Sequence, residues 1–377
     1  MNFVSRIQPV FSYPPPSWHW VQPLFAKGDF LITEDMALRG KTKFLLSVFT
    51  AILIWAYLNY PVPPLSFELR EWKRTGKFLS HGDFKIFYQD VNGTGRPEDV
   101  VLCVHGFPTA SYDFAKVWEG LNGRFGRIIA SDMLGLGFSD KPYGHNYTVS
   151  EQASIIEKLL KMLAVEEVHI LSHDLGDTVA QELLRRFLYR QKATSKAAPY
   201  LKIKSLCLMN GGVFPETHHP TFMQKLMLNP WLAPLTRLGN YYTFKNGFGK
   251  VFGPDTQPSP MDFVDFWALL RWNDGTLVMP GLLQYVAERR VNREAWVGAL
   301  QKSTVPVHMI YGPSDPVNPP VFADRYRELL PQATITVLDK HIGHYPHWED
   351  PMAVLMAYFG FLEKVSPLTQ PQATGET

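Results

Sequence analysis

From about residue 78 onward, the apolar positions of this chain alternate between a period of two and one near 3.6. Residues 84–91, FKIFYQDV, alternate strictly and predict a half-buried strand. DVVLCVHGF (99–107) is instead a continuous apolar run ending in a turn, the pattern of a strand covered on both faces. RIIASDMLGLGFSD (127–140) repeats that pattern, with a glycine-rich loop behind it. SEQASIIEKLLKMLAV (150–165) has helical spacing; Ser150 is the expected N-cap, with Ala153 where a capping box would carry Glu. EVHILSHD (167–174) predicts a strand and TVAQELLRRFLYR after it a helix, with further strands at 203–212, 305–312 and 334–339. Strands alternating with helices predict an α/β fold built on a mostly parallel sheet. Between Gly212 and Val305 the strand pattern stops, and Trp-, Met- and Leu-rich helical sequence takes its place. The predicted organisation is a core of residues 61–212 and 304–365, a helical cap of 213–303 over the carboxyl end of the sheet, and a polar tail at 366–377.

The first sixty residues follow another pattern. Residues 1–43 lack clear periodicity and read as an irregular lead. FLLSVFTAILIWAYLNY (44–60) then opens a stretch with no charge from Phe44 to Phe67. As a helix it would span about 26 Å, close to the roughly 27 Å hydrocarbon of a thin reticular membrane. It predicts a transmembrane or membrane-anchoring helix, with Trp55, Tyr57 and Tyr60 suited to the interface and PVPP (61–64) ending it. The run begins too late and lacks the small-residue site for a cleaved signal peptide. Arg39, Lys41 and Lys43 before it nearly balance Arg70, Lys73, Arg74 and Lys77 after it, so charge leaves its orientation open. Asn92 (NGT) and Asn146 (NYT) are candidate glycosylation sites and would favour a lumenal domain.

Composition narrows the function classes. A chain of 377 residues that is 46% hydrophobic has room for one large core plus an extension. Lys and Arg number 37 against 35 Asp and Glu, and no basic stripe exists, so a nucleic-acid partner is excluded. Cys103 and Cys207 lie in apolar strand-like runs and read as buried thiols. No Cys/His cluster has zinc spacing, and GLGFSD lacks the lysine of a phosphate loop, so no metal and no cofactor is expected. Composition says nothing of protein partners.

The chemistry concentrates in LSHDLGD (171–177). A nucleophile raised on a sharp strand-to-helix turn needs small residues two before and two after it. Asp174, flanked by Ser172 and Gly176, satisfies this; Ser172, flanked by Ile170 and Asp174, does not. HGFPTASYDF (105–114) follows a buried strand and would supply one oxyanion-hole amide, Phe107 N–H, with Leu175 N–H as the second. Asp315 in YGPSDPVNP and His344 in HIGHYPHWEDP complete the order nucleophile, acid, histidine. His341 and His347 read as surface neighbours of His344, and Asp132 and Asp140 as loop hydrogen-bonders.

HGFP, SHDLGD and GHYPHWEDP resemble the epoxide hydrolase and haloalkane dehalogenase branch of the α/β-hydrolases. Longer runs, among them SHDLGDTVAQELL, RWNDGTLV and RRVNREAWVGAL, resemble one membrane-associated subfamily over roughly residues 60–365. The resemblance implies an α/β-hydrolase fold and residence at the endoplasmic reticulum membrane but names no substrate; a small apolar or lipid-like one is expected. It implies Asp174 as nucleophile, His344 as base and Asp315 as its orienting acid. Two departures bear on substrate. That branch carries Trp after the nucleophile, where this chain has Leu175, and its epoxide hydrolases use two cap tyrosines. Tyr242 and Tyr285 are the candidates for those, while REAWVGAL contains none. Trp231, Phe244, Trp267 and Trp272 are candidate pocket aromatics. The expected activity is hydrolysis through an alkyl-enzyme ester. The alternatives are a lipid ester hydrolase or acyltransferase, or a non-catalytic protein that keeps the fold.

Overall fold

A computed structural model describes residues 26–192, 201–229 and 231–365. The chain forms two compact units, Met1–Tyr60 and Pro61–Thr377. In the first, one helix, α1, runs from Ala26 to Leu58. It starts well before the apolar run, so residues 26–43 are not the irregular lead expected. Past Pro23 the sequence carries strong helix formers and no proline until Pro61. Residues 1–25 and the tail 366–377 lie outside the described residues. The expected membrane span is not found: among the described residues no helix is long and apolar enough to cross a membrane. The helix stops at Leu58, so its uncharged part, Phe44–Leu58, spans only about 22 Å against a hydrocarbon core of about 30 Å. The apolar side chains along it, including Phe44, Phe49, Ile52, Leu53 and Trp55, are exposed.

The second unit holds an eight-stranded sheet. In chain order its elements begin with α2 (Phe67–Thr75), β1 (Lys77–His81), β2 (Phe84–Asn92), β3 (Arg96–Val104), α3 (Trp118–Arg124), β4 (Phe125–Ser131) and α4 (Val149–Met162). They continue with β5 (Glu167–His173), α5 (Leu175–Lys192) and β6 (Lys202–Met209). A strandless insertion follows, holding α6 (Phe222–Leu228), α7 (Tyr241–Phe248), α8 (Pro260–Arg271), α9 (Met279–Leu282), α10 (Tyr285–Val291) and α11 (Arg293–Gln301). The chain returns through β7 (Val307–Tyr311), α12 (Val321–Leu329), β8 (Thr334–Val337), α13 (Pro346–Glu349) and α14 (Pro351–Val365). Strand order is β1-β2-β4-β3-β5-β6-β7-β8, with β2 antiparallel to both neighbours and every pair from β4 to β8 parallel. β1 escapes sequence reading because five residues are too few to establish a period.

The buried strands explain their continuous apolar runs. Along β3, Leu102 and Val104 join one core cluster with Ile156, Leu159 and Val179 of α4 and α5. Val101 and Cys103 join another with Leu121 of α3 and Tyr358 of α14. Both faces are therefore covered, as a parallel sheet requires. Both cysteines are free and buried. The N-cap of α4 is Thr148 rather than Ser150; its hydroxyl accepts from Glu151 N at 3.1 Å, because Thr-x-x-Glu begins two residues earlier. Parallel register brings the strands' carboxyl ends level, with Val104 opposite Ser172 and His173 opposite Met209. The loops after β3, β5, β6 and β7 thus emerge at one edge.

At the opposite end of β3, Asp99 is fully buried and collects Arg96 at 2.6 Å, Lys204 at 2.7 Å and Arg124 at 2.9 Å. Burial alone would raise its pKa, but these three cations hold it well below the usual carboxylate range. A folded-state pKa below the unfolded one contributes stability that is complete above about pH 4 and is lost as pH falls through the folded value. Asp99→Asn leaves the cations without their carboxylate. It is expected to cost about 3–5 kcal/mol in urea unfolding near pH 7, with a smaller difference from wild type below about pH 3. A deficit independent of pH would show that packing, not charge, makes the difference.

Candidate active site

Asp174 sits between β5 and α5 with φ of +47°, a left-handed conformation that a non-glycine residue adopts at a steric cost. The turn is held on both sides. Asp174 N donates to Met209 O at 3.1 Å, and Asp177 N donates back to Asp174 O at 3.1 Å. A Cβ at Gly176 would lie 2.1 Å from Val104 O, so only glycine lets α5 begin this close to β3. Ser172 is committed elsewhere: its hydroxyl donates to Asp177 Oδ1 at 2.6 Å beneath the turn. Asp177 also accepts from Gly211 N at 2.9 Å, tying the turn to the end of β6.

The Asp174 carboxylate is almost completely buried and has a distinct neighbour at each oxygen. Oδ2 accepts from Phe107 N at 3.0 Å. Oδ1 faces His344 Nε2 at 4.0 Å and Arg289 Nη2 at 3.7 Å. Leu175 opens α5, where an amide has no helical acceptor upstream. Burial alone would raise the Asp174 pKa; His344, Arg289, His173 and the Phe107 amide together bring it below the ordinary value. His344 Nδ1 lies 2.8 Å from Asp315 Oδ2. Burial opposes charge on its imidazole, but Asp315 first and Asp174 after it outweigh that and raise the pKa to about 9.

Three residues that support this arrangement were not legible as site residues. Arg289 of α10 is buried and donates to Asp174 O at 3.1 Å and to Thr178 Oγ1 at 2.7 Å, so the insertion grips the turn directly. Asn210, at the end of β6 with φ of +47°, donates to Asp315 Oδ2 at 3.0 Å and accepts from Gly312 N at 2.8 Å. Glu349 takes the amides of Gly343 and Tyr345 at 2.8 and 2.9 Å, fixing the turn that carries His344. The Asn in NGG and the Glu in HWED carry a weak signal, since both lie just past a strand or turn. Arg289 in ERRVNRE carries none.

Over Asp174 and His344 lies a cavity of about 140 Å³, partly open to solvent. Its walls are mainly apolar, from Met223, Met227, Phe244, Phe248, Trp267 and Leu270, with Thr221, Gln224, Asn240 and Thr243 among its polar positions. The expected aromatics therefore divide. Phe244 and Trp267 line it. Trp231 is exposed, and Trp272 sits instead under Lys73, whose Nζ is 3.8 Å from its ring. Tyr242 is 74% exposed and is not a cavity residue, because its neighbour Tyr241 takes the packed position toward α8. Tyr285 is fully buried, its ring 6.2 Å from Phe107. Asp132 and Asp140 accept from backbone amides, of Ser111 and of Lys85 in β2 respectively. Asn92 and Asn146 are both at the surface. His341 is exposed as expected, but His347 is fully buried, because α13 folds its ring inward against Phe114.

A family model described as the alpha/beta hydrolase fold matches residues 99–351. The chain is 54% identical over 316 residues to the mesoderm-specific transcript homolog protein of Homo sapiens, covering 82% of this chain and 92% of that one. It is 52% identical over 316 residues to the mesoderm-specific transcript protein of Mus musculus, with the same coverage. Among solved structures it resembles a haloalkane dehalogenase loop variant from Bradyrhizobium elkanii, with TM-score 0.62 and 19% identity over 77% of this chain and 96% of that one.

Proposed function

The chain belongs to the mesoderm-specific transcript family of the α/β-hydrolase fold, and on that premise we propose that it hydrolyses an apolar substrate through an ester formed on Asp174. The observation that carries this reading is the division of labour at the carboxylate. One oxygen rests on a backbone amide and the other faces the histidine, with both residues lining the cavity. In the first step Asp174 Oδ1 attacks an sp³ carbon, the bond from carbon to the leaving group breaks, and the electron pair departs with that group. In the second, His344 Nε2 takes a proton from water and the resulting hydroxide adds to the ester carbonyl. The Phe107 amide then meets the developing oxyanion. Collapse expels the product alcohol, which recovers its proton from His344, and the Asp174 carboxyl then releases the remaining proton to solvent, which regenerates the carboxylate.

Charge couples the two steps. In the resting site Asp315 and Asp174 together favour protonated His344. Alkylation removes the Asp174 charge, one of the two, and so lowers the imidazole's proton affinity when a base is needed. An epoxide-like substrate would also need a proton on its opening oxygen. Tyr285, buried beside Phe107 and with its neutral form favoured by burial and by Asp174, is the candidate donor. Ester hydrolysis by Ser172 is disfavoured, since that hydroxyl is buried and bonded to Asp177. The apolar cavity walls support an apolar or lipid-derived substrate. The exposed apolar length of α1 supports association with a membrane surface without spanning it, at the endoplasmic reticulum in this reading.

Incubation with an alkyl epoxide or alkyl halide probe separates the roles. The wild type should turn the adduct over, Asp174→Asn should form none, and His344→Gln should retain a stable mass increase on the peptide containing Asp174. Labelling of Asp174→Asn as fast as wild type would refute the assignment. Removing residues 44–58 should shift the protein from carbonate-washed membranes to the supernatant. Full retention in the pellet would place the membrane contact elsewhere in the chain.

A further inference from the structure

Nothing in the spacing of histidines and acids along the sequence points to a metal, yet the fold gathers three such residues behind the active site. Asp113 lies in the single turn Ser111–Lys116, His173 ends β5, and His347 lies in α13. All three are fully buried, and each offers one donor atom within 4.8 Å of the other two. Asp113 Oδ1, His173 Nδ1 and both ring nitrogens of His347 have no hydrogen-bond partner. A buried unsatisfied polar atom costs about 1–3 kcal/mol, so four in one place require an explanation.

The tautomer of His173 is decided by its other nitrogen. Nε2 lies 2.8 Å from the backbone oxygen of His344, and a carbonyl only accepts. Nε2 therefore carries the proton and Nδ1 presents a lone pair. A ligating histidine characteristically donates its second N–H to a carbonyl in this way. Asp113 is similarly prepared: Thr109 Oγ1 donates to its Oδ2, leaving Oδ1 open. The His347 ring is fixed by stacking on Phe114, with centroids 5.1 Å apart, and stands 4.6 Å from the His173 ring. Burial first, and Asp132 and Asp174 after it, act against negative charge on Asp113, whereas burial and the His344 imidazolium act against positive charge on His173 and His347.

We propose that Asp113, His173 and His347 hold one divalent transition-metal ion of the zinc or ferrous type. Three atoms no more than 4.8 Å apart have a common point at most about 2.8 Å from each. Side-chain rotations closing roughly 0.7 Å per ligand reach the 2.0–2.2 Å of zinc–nitrogen and zinc–carboxylate bonds. Two imidazoles with one carboxylate select such an ion over magnesium or calcium, which favour oxygen donors. None of the three residues lines the cavity, so the ion's role is structural. It joins three segments: Asp113 follows the Phe107 turn, His173 ends β5 just before Asp174, and His347 in α13 follows His344. The proposal does not depend on the chemistry assigned to Asp174.

Elemental analysis of the untagged full-length protein should find about one equivalent of zinc or iron per chain. Stripped wild type should bind Co²⁺ with visible d–d absorption and melt at higher temperature with Zn²⁺ than without. Asp113→Asn and His347→Gln should each bind roughly 100-fold more weakly. Hydrogen exchange of residues 105–113 and 343–348 should quicken on stripping in wild type only. Folded wild type with less than about a tenth of an equivalent, no Co²⁺ spectrum and no Zn²⁺ shift would overturn the site. Undiminished metal in both variants would overturn it equally.

Discussion

The carboxyl edge of this sheet is organised around keeping one carboxylate, Asp174, ionised where almost no water reaches it. Burying a lone charge costs several kcal/mol even after relaxation, and only close compensating groups make it tenable. Here the compensation comes from three separate elements: the Phe107 amide after β3, the His344 imidazole after β8 and the Arg289 guanidinium of α10. Each must be delivered to within a few ångströms. The parallel register of β3, β5 and β6 brings the loop ends together, and α10 closes over them. Without the insertion, Asp174 would lose its arginine as well as the apolar roof of the cavity.

The same requirement explains the polar residues packed beneath the site. Asp177, Asn210 and Glu349 bind backbone amides of neighbouring loops and leave the reacting groups to Asp174 and His344. They hold the left-handed turns at Asp174 and Asn210 against their conformational cost. The Asp113, His173 and His347 cluster brings together the segments that follow Phe107, precede Asp174 and follow His344.

What was legible in the sequence follows a physical division. Doubly buried strands must be continuously apolar, so β3, β5, β6 and β7 were visible, and the steric demands of the turn distinguished Asp174 from Ser172. Short β1 offered no period to read, and the cap of α4 was displaced by two residues because Thr148 competes with Ser150. Individual cavity residues were less legible, since a helical aromatic can face the roof or the solvent: Trp267 and Phe244 face inward, Tyr242 and Trp231 outward. Arg289, Asn210 and the inward His347 depend on contacts between segments far apart in the chain, which no local pattern encodes.

A single turnover in H₂¹⁸O, with enzyme in excess over an epoxide or alkyl halide that it consumes, tests the role of Asp174 most directly. An alkyl ester on Asp174 is hydrolysed at its carbonyl carbon. The first product should therefore carry unlabelled oxygen from the carboxylate, and ¹⁸O should appear in the peptide containing Asp174. Product fully labelled in that first turnover, with the Asp174 peptide unlabelled, would mean that water attacks the substrate directly and that Asp174 is not the nucleophile.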